Sequence, residues 1–547
     1  MSRRSLVLAT SLIATLVASP SDAAAKPPAL TGLFPAGASR GQSLTVTMSG
    51  TFDHWPVQCW TEGPGLSVKP GEEKGQLTIQ VGQDAERGVR WLRVYDEEGV
   101  TSLRPFIVGG IPESMETEPN DDPRRPQSIE HAQTTVNGRL SKTGDVDGYS
   151  VCLDRRQTLA ADLEAGRRLG SPMDGVLQVV SPEGFVLAQN DDAVGRDPRI
   201  IFEAPAKGTY LVRLFAFPAT PDSSIRFAGG EAFIYRLTLT TGGFIEHAFP
   251  LAVSREGPAT IAAVGPNLTG SDAILVVPSD ERPGRRILTH ASSEGSAEVR
   301  RVAGVALVEI EPSTQDEPQA LPDRSSVSGK VDPPGDRDVY RVAVKKGESR
   351  VFRVESRTFG LPLDAVLQVL DADGKILAES DDAADSRDPE LTFTPPADGD
   401  VRLVVRDLNG RGGPHHAYLL SIIAPEPDFA LTLQADRVEA ASGAKASVVV
   451  TVARKDGFDG EIDVTAEDLP TGVAATTARS RPADDSAKSV TLEIRSDGPP
   501  ASGPFRVVGR SVDGKFQRTA LAKIAGFEAE TDRPWITILA KPAEIKP

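Results

Sequence analysis

The chain has 547 residues and a formal net charge of −17, with 60 Lys and Arg against 77 Asp and Glu, an acidic excess that argues against nucleic acid as a partner. With 50 Gly, 43 Pro, 39% hydrophobic and only 5% aromatic residues, it is too long for one core and too rich in turns for long amphipathic helices. The expected fold class is all-β, a string of antiparallel β-sandwich domains of jelly-roll-like and immunoglobulin-like type.

Residues 1–25 read as a signal peptide: Arg3 and Arg4 precede the apolar run LVLATSLIATLVA, and Ala23-Ala24-Ala25 offers small residues for cleavage. Secretion, or residence in the periplasm or cell envelope, is therefore expected. No later segment reaches 18 apolar residues, so no transmembrane segment is expected in the mature chain. Cys59 and Cys152 fall in neighbouring predicted domains, and the sequence leaves open whether they bridge or stand as free thiols.

Residues 27–110 alternate apolar and polar side chains in LTVTMSG, LTIQVG and RWLRVYD, between turns at PAGASRGQ, EGPG and DEEG. The run FPAGASRGQSLTVTMSGTF resembles the opening of transcription-factor-type immunoglobulin (TIG-like) domains, and FPLAVSREGPATIAAVGPNLTG in residues 243–312 resembles it more loosely. Between and after these lies a repeat: GDVDGYSV returns as GDRDVYRV, SPMDGVLQVV as LPLDAVLQVL, NDDAVGRDP as SDDAADSRDP, and FEAPAKGTYLVRL as FTPPADGDVRLVV. The repeated units span residues 113–242 and 313–424, and each is expected to be one sandwich. Residues 425–527 read as another immunoglobulin-like sandwich, and 528–547 as a tail or an edge strand through WITIL.

ETEPNDD at 116–122, the GDxD turn, the SPxD turn with Asp174, NDD at 190–192 and GTYLVRL together resemble the bacterial pre-peptidase C-terminal domain, whose relatives include the collagen-binding modules of bacterial collagenases. The resemblance covers both copies, and the whole arrangement is similar to large secreted proteins of planctomycete-type bacteria. It implies a sandwich that binds or positions and that accompanies exported enzymes or surface proteins.

Calcium is the sharpest chemistry on offer. Glu116, Glu118, Asn120 and Asp121 present oxygen ligands within six residues, and an extended backbone puts alternate side chains on one face. The resemblance implies that aspartates of the GDxD turn, here Asp145 and Asp147, complete the site. The same two aspartates also suit a turn cap. In the second copy Glu309 and Glu311 keep the Glu-x-Glu spacing and Asp336 and Asp338 survive, but Pro312–Asp316 replaces the Asn-Asp pair, so calcium is expected mainly in the first. A second recurring acidic group, Asp174, Asn190, Asp191, Asp192 and Asp197 with Asp364, Asp381, Asp382, Asp385 and Asp388, lies in loops that could meet at one end of the sandwich and bind a cation, but a turn-and-solubility role is expected.

None of the six histidines forms HExxH, and Gly37-Ala38-Ser39-Arg40-Gly41 matches the nucleophile-elbow pattern with no helix to follow, which makes it a hairpin turn. The expectation is a non-catalytic binding or adhesion protein with an extracellular protein or polysaccharide as partner. Two alternatives remain: an accessory or degenerate subunit of a secreted peptidase, and a passive envelope spacer.

Overall fold

The computed structural model describes residues 26–220, 226–279, 284–311, 317–384 and 386–541. The expected signal peptide, Asp385 and Pro312–Asp316 lie outside them. The described chain is almost wholly β-structure arranged in sandwiches, as the composition predicts. No helix among the described residues is long and apolar enough to cross a membrane.

Alternation builds the cores. In the strand Asp147–Leu153, Tyr149, Val151 and Leu153 are buried while Ser150 and Cys152 face outward, and each inward side chain contributes roughly 1.5–3 kcal/mol of apolar burial. This strand lies in a five-stranded sheet with Gln127–Ile129, Gly208–Pro218, Met173–Val180 and Val186–Asn190. The facing sheet orders Glu113–Met115, Gln133–Arg139, Ile234–Thr240, Thr158–Glu164 and Arg199–Glu203.

The second repeated unit has the same strand order in both sheets. Its first strand, Val305–Val308, pairs in parallel with Ser325–Lys330, as Glu113–Met115 pairs with Gln133–Arg139. Residues 305–311 therefore belong to this unit. The small preceding sandwich ends with Ala297–Val302, earlier than the expected boundary at 312.

The C-terminal reading needs a larger correction. Trp535–Leu539 is neither a tail nor an edge strand: it runs between Arg437–Ala441 and Ala501–Pro504 as the middle strand of three. Trp535 is fully buried, its indole Nε1 donating to Ser502 Oγ at 2.7 Å. The hydrophobic run WITIL was legible, but its partners lie far away in sequence.

The units pack on one another. Across the first and last, Trp535 meets Tyr95 and Trp60 at ring-centroid distances of 4.9 and 5.9 Å, and the buried Arg93 contacts Asp436 at 3.3 Å. Arg87 of the first unit pairs with Glu294 of the third and donates to the carbonyls of His290 and Ser293 at 2.6 and 2.7 Å. Leu251 and Ala252 of the third form a cluster with Leu361, Ala417 and Leu419 of the fourth. Cys59 and Cys152 are both free thiols, and burial pushes the Cys59 thiol up to about 11.

Two predictions follow from burial. Trp535→Ala should cost about 3–5 kcal/mol in the last unit and loosen its contact with the first, read as a lower urea midpoint and a larger radius in scattering. His247 is buried, and that burial, reinforced by His415 and Lys330, depresses its pKa from 6.5 to about 4. The unfolded chain takes up a proton that the native imidazole refuses, so stability falls as pH drops from about 6.5 to 4, by on the order of 3 kcal/mol. His247→Gln should flatten that acid limb; an unchanged limb would assign it to other groups.

Candidate functional site

The turn Lys142–Asp145 is closed by the Asp145 N–H donating to the Lys142 carbonyl at 3.1 Å, with Gly144 at φ +88°, a conformation that glycine adopts without strain. The turn delivers Asp145 at the head of the strand that carries Asp147, and both aspartates are fully buried. Opposite them runs the extended segment after Met115. The nearest carboxylate oxygens of Glu118, Asp121, Asp145 and Asp147 all lie within 4.8 Å of one another.

Four of the six expected residues thus converge through their carboxylates. Asn120 joins from the side: it is 1% exposed, and its backbone N–H donates to Glu118 Oε2 at 2.9 Å. Glu116 stands behind the group, its Oε2 accepting from the Arg139 N–H at 2.6 Å and its Oε1 facing Asn120 Nδ2 at 3.4 Å.

The hydrogen-bond balance is incomplete. Asp145 Oδ2 accepts from the Ser141 N–H and hydroxyl at 2.5 and 3.0 Å, and Asp147 Oδ2 accepts from the Tyr235 hydroxyl at 2.5 Å. Asp145 Oδ1, Asp147 Oδ1 and Asn120 Oδ1 are buried and have no hydrogen-bond partner. The exposed Lys142 ammonium reaches Asp121 at 3.0 Å and lies 3.5 Å from Asp145 Oδ1, close enough for attraction but without hydrogen-bond geometry. Burial, and then the charge of Glu116, push the Asp147 carboxyl well above the usual carboxylate range, and burial likewise raises Glu116. Unpaired buried acceptors are costly, and a hard cation is the group that satisfies several oxygens at once.

Beneath the site, Tyr149 and Tyr235 bond through their hydroxyls, and Tyr235 bonds on to Asp147. This chain repeats in the second copy as Tyr340, Tyr418 and Asp338, at 2.6 Å for each bond. The tyrosines recur at matched positions of both repeated units, a signal that the sequence carries. Ser141 and Lys142 carried none.

The second copy gathers Glu309, Glu311 and Asp338, but its donors are supplied by protein. Glu309 accepts from the Lys330 N–H at 3.0 Å and the Tyr340 hydroxyl at 2.9 Å. Asp336 turns away to accept from the Arg337 N–H at 2.8 Å. Among the described residues, no carboxylate of this group has an orphaned buried oxygen.

The other acidic residues divide by role. Asp197 accepts from the N–H groups of Ala165, Gly166 and Arg167, and Asp388 from those of Ser356, Arg357 and Thr358. Each pins a neighbouring turn. Ser39 ends a short strand before a turn, with no helix after it. Ser292 Oγ donates to Asp272 at 2.6 Å and contacts His290 Nδ1 at 3.0 Å, while Asp272 lies 3.8 Å from that same nitrogen. A catalytic relay needs serine and aspartate on opposite imidazole nitrogens, so this group is a loop contact.

No protein-family model matches the chain. A probable subtilase-type serine protease of Deinococcus radiodurans is 34% identical over 163 residues, a match that covers 27% of this chain and 22% of the relative's length. Among solved structures, the pre-peptidase C-terminal domain of a Bacillus anthracis collagenase aligns at 18% identity and TM-score 0.16, over 19% of this chain and 93% of that one. SGBP-B of the Bacteroides ovatus mixed-linkage glucan utilization locus, solved with a mixed-linkage heptasaccharide, aligns at 13% and TM-score 0.15, over 60% and 70%. The fibronectin(III)-like modules of Clostridium thermocellum CbhA align at 14% and TM-score 0.14, over 37% and 90%.

Removing the hydroxyl that caps Asp147 should be felt without any metal. Tyr235→Phe is expected to lower stability by about 1–3 kcal/mol in chelator, measured by urea unfolding. An unmoved midpoint would mean that the Asp147 carboxyl finds another donor.

Proposed function

We propose that the chain is an exported, non-catalytic, multidomain binding protein that engages an extracellular protein or an envelope polysaccharide. In this reading two copies of a pre-peptidase C-terminal-type sandwich form its middle, and calcium stiffens the first of them. The observation that carries the calcium assignment is the trio of buried, partnerless oxygens on Asn120, Asp145 and Asp147 beside the carboxylates of Glu118 and Asp121. Those five side chains supply most of the six to eight oxygens that calcium takes, leaving the rest to backbone carbonyls or water. Glu116 then acts as a brace for Asn120 and Asp147. Lys142, on an exposed flexible stem, neutralises Asp121 and Asp145 until the ion arrives.

An accessory or degenerate piece of a secreted peptidase is the second reading, favoured by the 34% identity over 163 residues to a probable subtilase-type protease. Release of peptides from casein by the purified full chain would support a catalytic form of it. A passive, extended spacer is disfavoured by the packing of the first unit against the last.

Calorimetric titration of the chelator-treated full chain should find one calcium ion per chain and a rise in melting temperature, since a ligand at 100 times its Kd adds about 2.7 kcal/mol to the native state. The exposed ligands allow clean variants: Glu118→Gln and Asp121→Asn should abolish the effect, and Glu311→Gln in the second copy should not. Absence of both heat and stabilisation in the parent chain would sink the calcium assignment. Retention on an insoluble envelope fraction, compared with an unrelated β-sandwich, tests the binding role.

A further inference from the structure

The two repeated units face one another across a cleft. The loop after Asn190 in the first copy approaches the turn after Ser356 in the second so closely that a Cβ on Gly360 would lie 3.8 Å from Val194 Cγ1. Beside this contact, His247 of the small third unit meets His415 of the second copy with ring centroids 5.6 Å apart. The space they bound is about 720 Å³, within the range that holds a compact ligand.

Four arginines line it, on a chain whose net charge is −17. Arg199 is already engaged, its Nε donating to Asp162 at 2.6 Å and its guanidinium lying 4.9 Å from the centroid of Phe244. Arg196 is exposed and donates one hydrogen bond, to the Ala219 carbonyl at 3.1 Å. Arg357 and Arg387 are exposed, and among the described residues neither guanidinium has an ion pair or hydrogen bond. Arg196 and Arg387 hold the same place in the recurring Arg-Asp-Pro block, so duplication has set matched cations on opposite walls.

Their backbones are pinned by the aspartates of that block. Asp197 follows Arg196 and accepts three N–H groups, and Asp388 follows Arg387 and accepts the Arg357 N–H at 2.8 Å. Arg196, Arg357 and Arg387 thus leave from backbone next to residues that are already tied down, which lowers the entropy cost of binding.

We propose that this cleft binds an oligosaccharide segment carrying carboxylate or sulfate groups, gripped by Arg196, Arg357 and Arg387. The guanidinium fork matches both anions in bidentate geometry. The lining also holds two carboxylates, Asp192 and Glu246, acceptors suited to sugar hydroxyls and not needed in a site for a bare polyanion. Among the described residues no Phe, Tyr or Trp lines the cleft, so a neutral sugar finds no such stacking platform there, and the acidic excess of the chain disfavours nucleic acid. The proposal rests on the reading of the chain as a polymer-binding protein and names the class of polymer.

The test is calorimetry on the full chain with three probes: an oligogalacturonide for carboxylate, a heparin-derived hexasaccharide for sulfate, and neutral cellohexaose. At least one acidic probe should bind, more weakly at about 200 mM than at about 50 mM salt, and cellohexaose should not. The Arg357→Gln/Arg387→Gln double variant should lose about tenfold or more in affinity, with unchanged circular dichroism because both side chains are exposed. Arg155→Gln is the control. It precedes a strand whose Thr158 pairs with Glu203 and whose Asp162 pairs with Arg199, so it sits at the other end of the sandwich and should bind as the parent does. Failure of both acidic probes, or equal affinity of parent and double variant, overturns the proposal. If the double variant and the parent are nonetheless retained equally on the envelope fraction, the broader binding role survives; a parent retained on nothing ends both.

Discussion

Each unit of this chain has a core of its own, so the arrangement of the units rests on what is buried between them, and at the seam of first and last one guanidinium lies at the centre of an aromatic cluster. Arg93 is fully buried, lies 5.8 and 5.5 Å from the ring centroids of Trp60 and Trp535, and meets Asp436 at 3.3 Å, while its Nε and Nη1 have no partner. Burial pushes its pKa down to about 10, with the Asp436 carboxylate opposing. A buried ion pair of this kind adds little net stability, but breaking one side of it is costly, and that asymmetry makes the docked arrangement specific. The same economy holds at the first-to-third seam, where Arg87 ties Glu294 to two carbonyls.

The two repeated units share a strand order and differ at their acidic ends. The Tyr-Tyr-Asp chain, the paired aspartate caps Asp197 and Asp388, and the strand order are common to both. What differs is how the acidic end is satisfied. In the second copy Tyr340 and Lys330 give hydrogen bonds to Glu309, whereas the first leaves three oxygens without donors.

Some of this was legible residue by residue. Alternation in GDVDGYSV and its repeat pointed to inward tyrosines, and Tyr149 and Tyr340 are fully buried. The GDxD and Glu-x-Glu blocks marked the acidic end, and four of six chosen side chains do meet there. Spacing cannot tell which way the half-buried Glu116 carboxylate turns; the Arg139 N–H and Asn120 decide that. The C-terminal run WITIL was misjudged because pairing with strands that begin at Arg437 and Ala501 is a long-range event, and local pattern is silent on it.

By itself the sequence determined the all-β class, the duplication and the chemistry available at its loops, because strand periodicity, turn residues and repeated blocks are local and survive without a partner. Only the tertiary structure decided which oxygens lack donors, that Trp535 closes on the first unit, and that Arg196 and Arg387 face the same space. Those outcomes depend on distances between residues far apart along the chain, set by packing of one sandwich on another, and no spacing rule within a single sandwich encodes them.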